Sequence, residues 1–254
     1  MQTGIDPKLK HELEALISRS RRIVFFGGAG VSTESGIPDF RSAKGLYSRR
    51  SPVDDPPAET ILSHHFLLDH PREFFQFYRG SILHPNALPN PAHVRLARLE
   101  AEGKLLAVVT QNIDGLHQAA GSKRVLELHG SVHRNTCLAC RKPYDLAAVL
   151  AVPGVPYCAC GGLIRPDVVL YEESLDEAVV RQAIQAISQA DLLIVGGTSL
   201  TVYPAAGRVT GYRHGMLVII NQSPTPLDDK ANLVIRAPIG AALAEPQQKE
   251  EDET

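Results

Sequence analysis

Five short apolar runs constrain this chain more than any other feature. They are Ile23–Phe26, Leu105–Val109, Leu192–Val195, Leu217–Ile220 and Leu233–Ile235. Each is too short for a helix and has no polar face, so each reads as a strand buried on both sides. Helical signals fill the stretches between several of them. Asp6 can cap a first helix, Pro7 suits its first position, and Leu9, Leu13, Leu16 and Ile17 form one apolar face. Pro91 to Gly103 has a proline start and a glycine stop. Ser174-Leu175-Asp176-Glu177 reads as a capping box ahead of Val180, Ala183, Ile184, Ile187 and Ala190. Strands alternating with helices predict an α/β domain with a mainly parallel sheet.

Two segments break the alternation. Residues 42–92 are rich in proline, with Phe66, Phe74, Phe75, Phe77 and Tyr78, and read as a small helical insert. Residues 133–163 hold all four cysteines, Cys137, Cys140, Cys158 and Cys160, within 24 positions. Two close pairs across a loop suit a tetrahedral metal site, with disulfides or free thiols as the competing readings. A chain of 254 residues fits one large domain with a small insert. The domain is expected over 1–244, its core from about 1–41, 93–132 and 164–244.

Charge and hydropathy exclude some function classes. The net charge is −2, and residues 245–254 carry five acids against one lysine, which leaves the rest at +2. A near-neutral body argues against a broad nucleic-acid surface. The acidic tail reads as a solvated, disordered segment. No stretch approaches the ~20 apolar residues of a membrane helix, and no secretory leader opens the sequence. A cytoplasmic setting, no membrane partner and a monomer are expected.

Polar residues gather where the strands end, which is where open α/β sheets bind ligands. Gly28-Ala29-Gly30 follows the first run and continues to Gly36-Ile37-Pro38-Asp39-Phe40-Arg41. Such a turn can bring backbone N–H groups against a pyrophosphate, or be a turn only. Thr33 stands where the dehydrogenase fingerprint needs its third glycine. Gln111-Asn112-Ile113-Asp114 follows the second run and can orient sugar hydroxyls or close the strand as an Asx turn. His129-Gly130 offers a base near neutral pH or a structural imidazole. Gly197-Thr198-Ser199-Leu200 follows a further run.

Taken together and in order, these motifs resemble the sirtuin family of NAD-dependent protein deacylases, in its compact bacterial form. Arg165-Pro166-Asp167-Val168-Val169 and the cysteine pairs continue the likeness, which covers about Leu9 to Ala244. The resemblance implies a Rossmann-like domain with a small lobe made of a zinc module and the helical insert. It implies a deacetylase that transfers the acetyl group of acetyl-lysine to the ADP-ribose part of NAD, releasing nicotinamide, free lysine and O-acetyl-ADP-ribose. Catalysis would fall to His129 as general base, with Asn112 and Asp114. NAD would be held by Gly28, Ala29, Gly30, Asp39, Phe40, Arg41, Gln111, Asn112, Ile113, Asp114, Gly197, Thr198, Ser199 and Asn221. An acetylated protein segment would lie extended between Val169, Leu170, Tyr171 and Glu172 on one side and Leu200 and Val202 on the other. One structural Zn²⁺ would sit on the four cysteines.

Three positions depart from the pattern. Gly27 stands where many relatives have threonine, and Glu172 where many have glycine. Cys158-Ala159-Cys160 is one residue shorter than the usual knuckle, and weaker metal retention is expected from it, eased by Gly161 and Gly162. The competing functions are a nicotinamide-dependent dehydrogenase, an NAD glycohydrolase or ADP-ribosyl transferase, and a zinc-ribbon module for nucleic acid. Relatives that take acidic acyl chains carry a Tyr-x-x-Arg pair, which Tyr78-Arg79-Gly80-Ser81 lacks.

Overall fold

The computed structural model describes residues 5–40, 45, 56–200 and 211–245. The strands are β1 (Ile23–Gly27), β2 (Leu105–Thr110), β3 (Val125–Glu127), β4 (Gly130–Cys137), β5 (Pro143–Asp145), β6 (Ile164–Val168), β7 (Leu192–Gly196), β8 (Met216–Ile220) and β9 (Leu233–Ile235). Six of them form a parallel sheet in the order β3-β2-β1-β7-β8-β9. The chain builds outward from β1 on one side, then returns to build outward on the other. That is the Rossmann order, and it leaves a crevice between β1 and β7 where the direction reverses.

Successive strand side chains point to opposite faces, which explains why the runs hold no polar residue. Phe25, Val108, Ile194 and Val218 pack against Leu13, Leu16 and Ile17 of α1 (Pro7–Arg19) and Leu96 and Leu99 of the helix Pro91–Ala101. Val24, Phe26, Val109, Leu193 and Ile219 pack on the opposite face against Ala183, Ala186 and Ile187 of the helix Glu177–Gln189. Asp6 caps α1 as the sequence predicts, its Oδ1 accepting from Lys8 N at 2.9 Å.

A second, antiparallel sheet has the order β5-β4-β6. Its apolar side is covered by short helices at Ala58–Ile61, His64–Asp69 and Pro71–Phe77 and a π-helical turn at Tyr78–Ile82. Phe66, Phe74, Phe75 and Tyr78 share one core with Val132, Leu146, Ile164 and Val168. The insert and the cysteine segment thus complete each other, since neither alone buries enough apolar surface.

One local expectation is corrected. The helix expected from Ser174 starts at Glu177, capped by Asp176, whose carboxylate accepts from Ala178 N and Val179 N. The cap nearest the periodic run wins because its side chain reaches the first free N–H groups. Strand β3 supplies a sixth sheet member that three residues of sequence do not announce. Beyond β6, residues 169–173 form a turn: Tyr171 bridges Ser63, Glu173 N donates to Leu170 O, and Glu172 lies at φ +78°.

Candidate active site

The glycine turns after β1 and β7 meet at the switch point. Gly28 N donates to Gly196 O at 3.2 Å and Gly30 N to Gly197 O at 2.8 Å. A Cβ on Gly30 would lie 2.8 Å from Gly197 Cα, and one on Gly28 would lie 2.9 Å from Gln111 Oε1. Side chains there would force the two turns apart. Asn90 fixes the turn from below, its Nδ2 donating to Val31 O at 2.7 Å and Ser35 Oγ at 3.1 Å, while its Oδ1 caps the next helix through Ala92 N.

Beside the turns, the segment after β2 is tied down atom by atom. Ser32 Oγ donates to Asp114 Oδ2 at 2.6 Å and accepts from Asn112 Nδ2 at 3.0 Å. Asp114 Oδ1 accepts from Leu116 N at 2.9 Å, and Asn112 N donates to Thr110 Oγ1 at 3.0 Å. Thr198 Oγ1 donates to Gln111 Oε1 at 3.1 Å. The other end of that amide, Gln111 Nε2, is buried without a partner among the described residues. A buried donor left open costs ~1–3 kcal/mol unless a ligand or water takes it.

His129 sits between β3 and β4, and its Nδ1 lies 2.9 Å from Gln111 O. A carbonyl only accepts, so Nδ1 carries the proton and Nε2 keeps its lone pair. Burial lowers the imidazole pKa, and the bond to Gln111 offsets part of that. The ring is therefore neutral at physiological pH, the state a general base needs. On the far side, His133 Nε2 donates to Asp114 O at 3.0 Å, and its ring lies 2.6 Å from where a Cβ on Gly115 would be.

A cavity of about 990 Å³ joins these parts. Ala29, Phe40, Gln111, Asn112, Ile113, Asp114, His129, Val169, Leu170, Tyr171 and Glu172 all line it. Gly28, Gly30, Gly197 and Thr198 pack together beside it, with Gln111 as the bridge. Asp39 lies next to Gly45, and Ser199 follows the β7 turn. Asn221 ends β8, its Nδ2 donating to Ser223 O at 2.8 Å. Leu200, at φ +55°, turns its side chain into the core under the sheet. Arg41 and Val202 lie outside the described residues.

The four cysteine sulfurs lie within 4.8 Å of one another, with Cys137–Cys160 at 3.5 Å and Cys140–Cys158 at 3.6 Å. Tetrahedral zinc with Zn–S bonds of ~2.3 Å places its sulfurs roughly 3.8 Å apart, so the set fits one ion. None of them is joined in a disulfide, against the disulfide reading. Backbone N–H groups still reach sulfur in both knuckles: Cys140 N to Cys137, Cys160 N to Cys158 and Gly162 N to Cys160. Gly161 at φ +83° makes that turn possible after the short pair. Tyr144 adds a hydroxyl donor to Cys158 Sγ at 3.0 Å.

Ser32, Asn90, His133 and Tyr144 are not among the residues expected from sequence. Ser32 is fully buried inside the glycine motif, and a hydroxyl in such a turn is the one sequence cue that points to it. The other three depend on contacts between distant segments.

Comparison with known proteins gives a consistent result. A model of the Sir2 family matches residues 28–204. An NAD-dependent protein deacetylase of Clostridium perfringens is 57% identical over 241 residues, 94% of this chain and 98% of its own. One of Cutibacterium acnes is 55% identical over 233 residues, 92% of this chain and 95% of its own. A Sir2–p53 peptide–NAD+ structure matches with a TM-score of 0.79 at 43% identity, over 91% of this chain and 94% of that one. A Sir2 structure with deacetylated p53 peptide and 3′-O-acetyl-ADP-ribose matches at 0.82 and 42% identity, over 92% and 95%.

Proposed function

The chain belongs to the Sir2 family and is an NAD-dependent protein deacetylase, and from that premise we propose how its residues divide the reaction. The observation that carries the reading is His129: neutral, its Nδ1–H fixed on Gln111 O, and its Nε2 free in the cavity that Asn112 and Asp114 also line. Bound NAD supplies a nicotinamide–ribose bond whose cleavage leaves an electrophilic carbon for the acyl oxygen.

Gly28, Ala29 and Gly30 let the backbone approach the dinucleotide phosphates, with Gly197, Thr198 and Ser199 opposite them. Gln111 Nε2, open and buried, donates to a ribose hydroxyl. Asn112, Ile113 and Asp114 form the wall for the nicotinamide end, held by Ser32. Asp39, Phe40 and Arg41 are assigned to NAD binding, with Phe40 lining the cavity, and Asn221 takes the adenosine ribose. His129 Nε2 accepts the proton of a ribose hydroxyl once that hydroxyl attacks the acyl carbon. Such a base contributes ~10²–10⁴-fold.

The acetyl-lysine segment lies along residues 169–172, with Leu200 and Val202 on its other side. Leu170 and Tyr171 have their backbone groups engaged by Glu173, Leu62 and His64. The groups without a partner among the described residues are Val169 O and the Glu172 backbone, and these are offered to the peptide. Arg79 donates to Val149 O and Val152 O at 3.2 and 2.9 Å. It is held away from the cavity, which favours neutral acyl chains, because an acidic one would lose its hydration without a countercharge. Zinc on Cys137, Cys140, Cys158 and Cys160 is structural, since four thiolates leave no open position. The protein acts as a cytoplasmic monomer with no nucleic-acid partner.

Paired variants test this division. His129→Ala retains exchange of labelled nicotinamide into NAD but loses O-acetyl-ADP-ribose formation by at least ~100-fold. Asn112→Ala loses both. Wild-type product formation by His129→Ala would remove the imidazole from the chemistry.

A further inference from the structure

Two adjacent acids at the proposed peptide edge have opposite fates. Glu173 is neutralised inside the fold: its carboxylate accepts from Arg165 at 2.5 and 3.0 Å, from Leu170 N at 2.9 Å, and meets His64 Nδ1 at 2.8 Å. Glu172 has a half-exposed side chain, and lines the cavity. Among the described residues its carboxylate meets His65 alone, through the backbone N at 3.1 Å and Nδ1 at 2.6 Å. Glu177 and Arg181, which also line the cavity, pair with each other at 3.3 Å. Among the described residues, Glu172 is thus the acid at this rim that no lysine or arginine pairs with; its partner is the His65 imidazole.

Its backbone is unusual as well. Glu172 is one of three described non-glycine residues at positive φ, a conformation that is strained for a residue with a Cβ. Its N–H and C=O have no partner among the described residues, so a strand pairing here meets the chain at Glu172 itself. Side chains of the paired residue and its diagonal neighbours then lie within ~5–8 Å of the glutamate Cβ, inside the reach of a lysine or arginine.

We propose that Glu172 makes this enzyme favour acetyl-lysine segments with lysine or arginine next to the modified residue. The inference rests on the placement of the peptide along residues 169–172. The charge stays solvated, so the expected gain is that of an exposed ion pair, about two- to fivefold in kcat/KM for a cationic over an acidic peptide.

The test compares acetyl-lysine peptides that differ only in Lys, Gln or Glu flanking positions, with wild type, Glu172→Gln and Glu172→Gly. In wild type the cationic peptide is favoured through KM, and 0.5 M salt erases the difference by screening. In both variants the preference is lost, and Glu172→Gly, which tolerates positive φ, keeps the edge geometry. An unchanged ratio across the three proteins overturns the proposal. A photoreactive acetyl-lysine peptide separates this from the underlying reading. Labelling within residues 169–173 with an unchanged ratio refutes the charge preference alone, whereas labelling elsewhere refutes the peptide site, and the preference with it.

Discussion

His129 shows how one hydrogen bond decides a residue's chemistry. The ring could be an acid, a base or a structural strut, and the carbonyl of Gln111 leaves it one useful atom, Nε2. Burial also sets its titration. A buried imidazole resists protonation, and the Gln111 bond only partly offsets this. The base is active when neutral, so activity falls as pH drops through the folded pKa. The acid limb of kcat/KM should therefore lie below pH ~6.5, the value of a free imidazole. A rate profile between pH 5 and 9 checks this, and an acid limb above 7 would contradict it. At this scale, the sequence reveals side chains but not carbonyls. His129 and Asn112 stand in recognisable motifs, whereas the backbone oxygen of Gln111 has no residue type to announce it.

Pairs of elements hold what single residues cannot. The helix Pro91–Ala101 and the short helix Leu116–Ala119 meet through His93 and His117, whose rings are 4.7 Å apart. Both are buried, and His117 has neither ring nitrogen partnered among the described residues. Burial lowers His93 to about 4 and His117 to about 3. The unfolded chain takes up protons near pH 6.5 and the folded one does not. Their stabilising contribution is thus complete above 6.5 and lost as pH falls toward 4. Either site alone amounts to at most roughly 3 kcal/mol over that window. Chemical denaturation at pH 7, 6, 5 and 4 should give a shallower loss for His117→Phe than for wild type, and parallel curves would exclude the pair as the cause.

The cysteine knuckles make the same point. The short Cys158-Ala159-Cys160 turn suggests weaker zinc retention than a regular knuckle; Gly162 N and the Tyr144 hydroxyl donate to its sulfurs, and Gly161 supplies the left-handed turn. Lys142 Nζ lies 5.4 Å from the Tyr144 ring centroid and holds the phenol in place. Partners of this kind are worth ~10–100-fold in metal affinity. Tyr144→Phe should release zinc to a chelator about tenfold faster, with a shifted thiolate–cobalt band in the cobalt-substituted protein. Release at the wild-type rate would make Tyr144 a packing residue only.

The whole molecule joins a Rossmann-like sheet to a small lobe across the switch point of β1 and β7. Five of the six parallel strands are legible in the sequence because burial on both faces leaves each a continuous apolar run. Strand β3 is three residues long, and β4 carries Ser131, His133, Arg134 and Asn135 among its apolar positions, so neither gives a clear pattern. The small lobe is harder to read for a physical reason: its core is shared by the insert and the cysteine segment, which are separated in sequence by residues 93–132. The turn at 169–173 is not legible because it is set by contacts to Leu62, Ser63 and His64, far away in sequence. No helix of the described residues is long and apolar enough to cross a membrane.

In the proposed reaction the crevice passes an acetyl group from lysine to the ribose of NAD. Product stoichiometry tests it most directly. Purified protein incubated with NAD and an acetyl-lysine peptide should yield nicotinamide, O-acetyl-ADP-ribose and deacetylated peptide in equal amounts by mass spectrometry. NADH, or free ADP-ribose with the acetyl peptide intact, would contradict the account.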